Sequence, residues 1–337
     1  MNITFTQSSG LQDSIYGNAQ APIQRFIEDR GEEFEQASVV KDLFLMGTTQ
    51  NYADMMTSMT AMEGFKPVGE LGAYPVDGMR EGFKKILEQM TWKDSFALSR
   101  EMIEDAKIMD MRQQPRQFMT SYHRTRETFG AALFGSAMAG NKVIDFHGMK
   151  FDVAAADEKP LFDKAHPSVV DPAYTQSNQF SDAFSNDALG RMETAMQKFN
   201  GDNKNLLGVS PDAIVIPNDA DLKNDVFAAI GADKDPVTAN NAFNYQYGRW
   251  TVIIWSYLDR YVAAGKKPWM LMDSTYNNLY GGAVWNDRVQ LDVRSTIDEN
   301  TDANVWRGYS RFNATFNDWR AFAIGGVAGG TALKSAA

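Results

Sequence analysis

Apolar residues recur at helical spacing in one long stretch near the middle of the chain. The stretch opens at Pro115, a residue that suits the first turn of a helix, and ends before Gly140-Asn141, which suits a helix end. The pattern predicts a long helix over 115–139 with one buried side. The apolar stripe that defines this side comprises Phe118, Tyr122, Phe129, Leu133 and Ala137.

Upstream of this helix, two stretches have the pattern of extended chain. Residues 65–76 are punctuated by glycine and proline, and residues 86–98 alternate loosely between apolar and polar positions. We predict that they form two long antiparallel strands of a hairpin over 64–103, with a charged turn that includes Lys84 and Lys85. A two-stranded ribbon is only marginally stable alone, so this hairpin should pack against something else.

Shorter elements follow the long helix. Residues 143–153 have the pattern of a hairpin that turns at His147-Gly148, and residues 327–337 are predicted to be a flexible tail. The later elements alternate too briefly for a doubly wound sheet, so the predicted fold class is α+β. They are helices over 186–199 and 219–230 and strands over 213–216, 250–255, 269–272, 289–293, 307–316 and 319–324.

The first part of the chain, to about Met46, is polar and acidic. Only Ile23, Phe26 and Ile27 indicate a short amphipathic helix in it. We interpret this part as an extended arm that has too few apolar residues to bury much surface against its own chain. If ordered, the arm should therefore dock on a neighbouring copy. A frayed terminus is the alternative, which composition alone favours slightly.

Composition excludes several classes of protein. The 337 residues are 44% hydrophobic and 12% aromatic, enough for a substantial core. The net charge of −10 gives no overall attraction to nucleic acid or to anionic membranes. The chain has no cysteine, so it has neither disulfides nor thiolate chemistry. With no pattern of a signal peptide or a membrane span, we expect the protein to be cytoplasmic when made.

The sequence contains no recognisable catalytic, cofactor or metal site. Its three histidines, His123, His147 and His166, are widely spaced and form no metal-binding motif. We expect His166 to fix a loop by bonding to backbone and His147 to be a turn residue. The glycine-rich segment 325–330 lacks the residues of a phosphate-binding loop. We therefore predict that the chain is not an enzyme. The 18 methionines are either core filling or adaptable contact surface.

Three segments resemble those of one protein family. They are 96–105, with the sequence FALSREMIED, 161–167, with LFDKAHP, and 207–217, with LGVSPDAIVIP. In this order, and together with the predicted elements, they resemble major capsid proteins of tailed phages with the Hong Kong 97-type fold, particularly the branch of the Mu-like major head subunit. The resemblance covers the chain from roughly the hairpin to the last strands.

The resemblance implies a division of the chain into an arm, a loop and two domains. The implied parts are the N-terminal arm 1–46, a linker 47–63 into the peripheral domain, the extended-loop hairpin 64–103, the peripheral domain with its spine helix 104–202, the axial domain 203–294, the closing strands of the peripheral domain 295–326 and the flexible tail 327–337.

Contacts between copies are expected from the arm and the hairpin. We expect reversal of charge at Lys84 and Lys85 to impair joining of subunits more than folding. The resemblance also raises the family's self-crosslinking chemistry, which joins a lysine to an asparagine. No motif in this sequence identifies the asparagine partner, so we expect a shell that is held by packing and not by crosslinks. The expected contact residues are Ile23, Phe26, Ile27, Phe65, Val68, Leu71, Tyr74, Lys84, Lys85, Ile86, Met90, Trp92 and Phe96.

The implied function is that of a major capsid protein. Copies would assemble as hexamers and pentamers into an icosahedral or prolate shell that encloses phage double-stranded DNA without sequence-specific binding. No cofactor and no membrane are implied. Portal, scaffold and decoration proteins are the implied partners, and a scaffold would be a separate protein or a removed piece. The alternatives are an encapsulin-like compartment and, more distantly, a carboxylate-pair hydrolase.

Overall fold

The computed structural model describes residues 3–7, 14–59, 65–70, 72–76, 80–105, 108–231, 243–263 and 265–333. The helices are α1 Ser14–Ala37, α2 Val40–Leu43, α3 Arg100–Glu104, α4 Ile108–Met138, α5 Asn186–Gln197, α6 Ala220–Ile230 and α7 Ser274–Tyr280. The strands are β1 Thr4–Gln7, β2 Leu45–Thr48, β3 Ala53–Met59, β4 Glu81–Glu88, β5 Met90–Leu98, β6 Val143–Phe146, β7 Met149–Asp152, β8 His166–Pro167, β9 Thr175–Gln176, β10 Ala213–Ile216, β11 Thr251–Ile254, β12 Trp269–Met272, β13 Ala283–Asp298, β14 Ala303–Phe316 and β15 Phe322–Gly325.

The long helix α4 is the predicted spine, but it begins seven residues earlier than expected. Pro115 lies inside the helix and not in its first turn. Because Pro115 is buried, packing outweighs the backbone hydrogen bond that a proline removes. The helix ends before Gly140, whose φ of +76° turns the chain away. The predicted stripe is confirmed at Phe129 and Leu133, which are fully buried.

One side of α4 packs on a mixed sheet. Within the described residues its strand order is β1-β13-β14-β5, and β2 also pairs with β13. β13 and β14 form a long antiparallel pair, which has irregularities near Val289. β5 pairs antiparallel with β14 along its whole length. Residues 86–98 are therefore not one strand of the predicted hairpin, because 90–98 belongs to this sheet.

A second, smaller sheet has the strand order β11-β10-β12-β15. Its central strands β10 and β12 are fully buried, as expected for continuous apolar runs between helices. The sequence positions of β10, β11 and β12 agree with prediction to within a residue at each end. The segment 319–324 differs: 319–321 is a 3-10 turn, and only 322–325 is a strand.

The hydrophobic core joins these two sheets through α4. The larger cluster of buried residues includes Phe129 and Leu133 of α4 together with the strands of the smaller sheet. The smaller cluster lies at the other end of α4, where Phe118 and Met119 meet Ile23 and Ile27 of α1. The helix is thus the element that both clusters share.

The domain boundaries implied by the resemblance do not match the sheets. The boundary between 294 and 295 falls inside β13, whose ladder to β14 continues without interruption to Asp298. β15, assigned to the peripheral strands, pairs with β12 of the smaller sheet. Sheet membership follows hydrogen bonding across the chain, which local sequence pattern does not reveal.

The predicted flexible tail is docked over its described part. The Thr331 amide donates to the Gln179 carbonyl at 2.9 Å, and the Leu333 amide donates to the Asp182 carboxylate at 2.9 Å. Leu333 itself is buried. The glycines that suggest mobility instead allow close approach to the chain near Phe180. The prediction of a free tail is wrong for residues 327–333, and residues 334–337 lie outside the described part.

Candidate assembly surface

A two-stranded hairpin stands apart from both sheets. β3 pairs antiparallel with β4 from Ala53 opposite Glu88 to Met59 opposite Glu81. The hairpin is therefore built from 53–59 and 81–88, whereas the prediction used 65–76 and 86–98. Residues 53–59 were not predicted as a strand. The segment is rich in methionine and has few of the β-branched and aromatic residues that are typical of strands.

The segment 65–76 lies between these strands and is exposed throughout its described residues. Phe65 is fully exposed, and Tyr74 and Val76 are each 94% exposed. Val68 is also exposed. Several large apolar side chains exposed in one short segment are unusual on a monomer and indicate a surface for association. We call residues 65–76 the tip segment.

At one place in β4 the charged side chain is buried and the apolar side chain is exposed, the reverse of an ordinary surface strand. Its alternation turns Lys85 and Leu87 inward and Ile86 outward. Lys85 is only 6% exposed, and Ile86 is exposed. Met55 on β3 is the direct cross-strand partner of Ile86 and is also exposed, so the two side chains form an apolar outward face on the hairpin. This outward face needs a partner that the described chain does not supply.

The base of the hairpin is fixed to the body by polar contacts on both strands. On β4, the Lys85 ammonium lies 2.6 Å from the Asp152 carboxylate and 2.8 Å from the Ala154 carbonyl oxygen. On β3, Asp54 accepts from the Asn286 side-chain amide at 2.9 Å. Because these contacts lie near the ends of β3 and β4 that join the body, the tip segment is left projecting.

The two predicted lysines have different environments. Lys84 is exposed and pairs with Glu81 on the same strand at 2.8 Å, and this hydrogen bond lowers the pKa of Glu81. Lys85 is buried, so the expectation that it lies in a charged turn is wrong. Reversing its charge would bury an unpaired carboxylate and damage folding, which for Lys85 argues against the prediction that joining of subunits would suffer more than folding.

Three residues predicted for the hairpin surface belong to the main sheet instead. Met90 and Trp92 are packed against the larger core, and the Trp92 ring stacks on Phe312 at 4.8 Å between centroids. Phe96 stacks on Trp306 in the smaller cluster. Apolar alternation in β5 reflects packing under α4, which the sequence could not distinguish from a contact surface.

The arm residues also pack within the chain. Ile23 and Ile27 are buried, at 1% and 0% exposure, against α4 and the long sheet. Phe26 is half-buried, with the guanidinium groups of Arg112 and Arg116 about 5.5 Å from its ring. The expectation that Ile23 and Ile27 dock on a neighbour is wrong. They belong to α1, a helix of 24 residues that packs against α4 and the long sheet of the same chain.

Of the predicted contact residues, four are exposed as expected: Phe65, Val68 and Tyr74 in the tip segment and Ile86 on β4. Leu71 lies outside the described residues. Sequence reasoning missed Val76, although its run was recognised as extended. It also missed a group of exposed aromatic residues near α5 and α6. The alternation of Tyr245 and Tyr247 with polar residues could have indicated that these rings lie on one face of the segment. The missed exposed aromatic residues are Phe227, Phe243, Tyr245 and Tyr247.

His166 fixes a loop, as expected, but through side chains. Its ring contacts Asp157 and Asn178 and stacks on Trp319. Among the described residues, no group of three or more acidic, histidine or cysteine side chains could hold a metal ion. Within the same residues, no helix is both long enough and apolar enough to cross a membrane.

Comparison with one solved capsid structure supports the fold, and two further structures are similar over most of the chain. The capsid of cyanophage P-SCSP1u is similar at a TM-score of 0.50 and 9% identity, over 86% of this chain and 87% of that one. A chain from Mycobacterium phage Patience aligns over 100% of this chain and 95% of its own, with 13% identity and a TM-score of 0.48. A virus-like particle protein from Pyrococcus furiosus covers 93% and 99%, with 7% identity and a TM-score of 0.46.

Sequence comparison identifies the family. No curated protein matches the chain at a significant level. The model of the phage capsid protein family matches residues 84–325, which is well over half of the chain. The predicted α+β fold of the Hong Kong 97 type is confirmed, and so is the predicted function of a shell subunit. The chain belongs to the phage capsid protein family.

Proposed function

We propose that copies of this capsid protein join as hexamers and pentamers through the hairpin, whose tip segment covers a neighbouring subunit. The observation that carries this proposal is the exposure of Phe65, Tyr74 and Val76 on a ribbon that the chain itself does not cover. Fully burying one such side chain contributes about 1.5–3 kcal/mol. Each contact is modest, and a closed shell repeats it many times.

The shell would enclose double-stranded DNA without binding it in a sequence-specific way. A net charge of −10 on each copy supports this, because a cationic lining would bind the packaged genome and resist its movement. Portal, scaffold and decoration proteins are the expected further partners, and assembly would occur in the host cytoplasm. We propose that the subunit acts by non-covalent association and not by catalysis.

The test is to replace apolar side chains of the tip segment. In the double variant Phe65→Ser and Tyr74→Ser, we expect subunits that fold but do not form shells, because neither ring contacts the body. Negative-stain imaging and size-exclusion chromatography would measure assembly, and circular dichroism would measure folding. Val170→Ser, at an exposed apolar position elsewhere, is the matched control. Normal shells from the double variant would refute the role of the tip segment.

A further inference from the structure

An apolar cleft opens beside the spine helix α4. It has a volume of about 330 Å³ and lies between α4, β5, β14 and the hairpin of β6 and β7. Aromatic rings form much of its wall: the Trp92 ring stacks on Phe312 with 4.8 Å between centroids, and the Phe151 ring lies 6.1 Å from Trp92. Phe118 of α4 and Phe146 of β6 also line it. We call this space the aromatic cleft.

The edge of the aromatic cleft combines apolar and polar groups. Two of its lining residues have exposed side chains, Met149 of β7 at 49% exposure and Asp94 of β5. The Ser121 hydroxyl of α4 donates to the Asp94 carboxylate at 3.2 Å. An apolar interior with a few polar groups placed at its edge is typical of a binding site. The aromatic cleft therefore has the composition of a site that receives an apolar partner.

The tip segment of a second copy has the chemistry to fill this site. Phe65 is fully exposed, and Tyr74 is 94% exposed. A cavity of about 150 Å³ holds one benzene ring, so the aromatic cleft has room for two rings. Aromatic rings also attract one another beyond the area that they bury. Lys66 follows Phe65 directly and would bring a cation to Asp94, an exposed pair that orients the contact more than it strengthens it.

We propose that the aromatic cleft receives the aromatic rings of the tip segment from a neighbouring copy. This inference rests on the proposed function, in which the tip segment covers a neighbour, and it adds the surface that the tip segment meets there. The tip segment of the same chain does not occupy the cleft, because the side chains of Phe65 and Tyr74 are exposed.

The cleft and the tip segment lie at opposite ends of the hairpin. Met90, which lines the cleft, comes just after the end of β4 at Glu88. The eight residues of β4 separate this end from the tip segment by roughly 25 Å, at about 3.3 Å per residue. Because Lys85 and Asp54 fix the base of the hairpin to the body, the tip segment is directed at another copy.

Such a contact has a direction, because the tip segment and the aromatic cleft are different surfaces of one chain. A contact of this kind passes from each copy to the next and generates a ring when the rotation closes. Hexamers and pentamers need this symmetry. A contact between two identical surfaces would instead stop at a dimer.

Photo-crosslinking of assembled shells would locate the tip segment. The photoreactive residue benzoylphenylalanine replaces Phe65 in one protein and Tyr74 in another, which keeps an aromatic ring at each position. Shells are assembled from equal amounts of nitrogen-15-labelled and unlabelled copies, so that a crosslink between copies can join a heavy peptide to a light one. By mass spectrometry we expect such mixed pairs between the tip segment and peptides that contain 90–94, 118–125 or 146–151.

Benzoylphenylalanine in place of Val170, an exposed apolar residue elsewhere, is the control and should give no crosslink to these peptides. The proposal would be overturned if both tip positions crosslinked to other parts of a neighbour, or if every crosslink joined two peptides of the same copy.

A second experiment fills the cleft from within. In Ser121→Trp the added ring occupies the aromatic cleft, and we expect subunits that keep the wild-type circular dichroism but lose the ability to form shells. Gln117→Trp is the matched control, because Gln117 is an exposed polar residue of the same helix that lines a separate groove between α1 and α4. This control should form normal shells.

The outcomes distinguish the cleft from the proposed function. If Ser121→Trp forms normal shells while the double variant Phe65→Ser and Tyr74→Ser does not, the tip segment joins copies at another surface and only the cleft assignment fails. If Ser121→Trp forms no shells but the crosslinks map elsewhere, a different segment of the neighbour fills the cleft, and the proposal fails as well.

Discussion

Lys85 shows how one side chain can be misjudged from its neighbours in sequence. It follows Lys84 directly, yet the alternation of β4 turns one lysine into water and the other into the body. The buried ammonium donates to the Ala154 carbonyl and to Asp152, whose side chain is 62% exposed. The ion pair alone is therefore partly screened by solvent, and the carbonyl is the more costly partner to lose.

Lys85→Met should therefore destabilise the fold, and Lys84→Met should not. Removing the ammonium leaves the Ala154 carbonyl unsatisfied, at a cost of about 1–3 kcal/mol in the free energy of unfolding. Loss of the exposed Lys84–Glu81 pair should change stability by less than about 0.5 kcal/mol. Urea denaturation of both variants measures the difference, and equal stabilities would show that the buried contact contributes nothing.

Glu127 is a second ionisable residue whose side chain is buried. It accepts from the Trp255 indole at 2.9 Å and the Ser38 hydroxyl at 2.6 Å, and its Oε1 lies 3.4 Å from the Val40 amide nitrogen. Burial raises the pKa of Glu127, and these hydrogen bonds offset only part of that effect. The folded state therefore holds a proton on Glu127 at pH values where the unfolded state has lost it.

This shift gives Glu127 a measurable pH signature. A carboxyl group whose pKa is higher in the folded state contributes most below its unfolded pKa, and the contribution declines as pH rises through the folded pKa. We expect the difference in unfolding free energy between the wild type and Glu127→Gln to decrease as pH rises from about 4.3, the ordinary value for a glutamate, towards neutrality. A difference that increases over this range would contradict the assignment.

Between elements, one ion pair joins the spine helix to the long sheet. The Arg126 guanidinium contacts both carboxylate oxygens of Asp287 on β13, at 2.8 and 3.1 Å, and lies 4.7 Å from the Trp285 ring. The Trp285 indole donates to the same carboxylate. Two largely buried charges therefore join one position of the spine helix to one position of β13.

A double-mutant cycle tests the strength of this contact. Arg126→Met leaves Asp287 buried without its cation and should cost about 3–5 kcal/mol. Asp287→Asn keeps an acceptor for Trp285 but removes the charge. The double variant should cost less than the sum of the single variants by about 0.5–3 kcal/mol. Additive costs would mean that the two side chains act independently.

At the scale of the whole molecule, charge and apolar surface oppose each other during assembly. Each copy carries a net charge of −10, so copies repel one another while their hairpins attract. Salt shortens the range of this repulsion, from about 30 Å at 0.01 M to about 8 Å at 0.15 M, and leaves apolar association intact.

Assembly should therefore improve with salt. We expect the yield of shells from purified subunits, followed by light scattering, to rise between about 0.01 M and about 0.15 M salt. The Phe65→Ser and Tyr74→Ser double variant should show no such rise, because it lacks the attraction that screening reveals. A yield that falls with salt would indicate that attraction between opposite charges joins the subunits.

The sequence by itself determined the local elements. Periodicity located the apolar stripe of α4, and His147-Gly148 located a turn in which both residues have positive φ, as a two-residue hairpin requires. Continuous apolar runs located β10 and β12. These features depend on residues close in the chain, where backbone preference and the alternation of faces suffice.

Only the tertiary structure decided which apolar residues face the core and which face other copies. Trp92 and Phe65 look alike as aromatic residues in extended chain, yet one stacks under α4 and the other is exposed on the tip segment. Ile23 and Ile27 were assigned to a neighbour, because the residues that bury them, from Leu98 to Trp306, lie far later in the chain. Burial depends on such distant partners, and a local sequence pattern does not predict which distant residues will pack together.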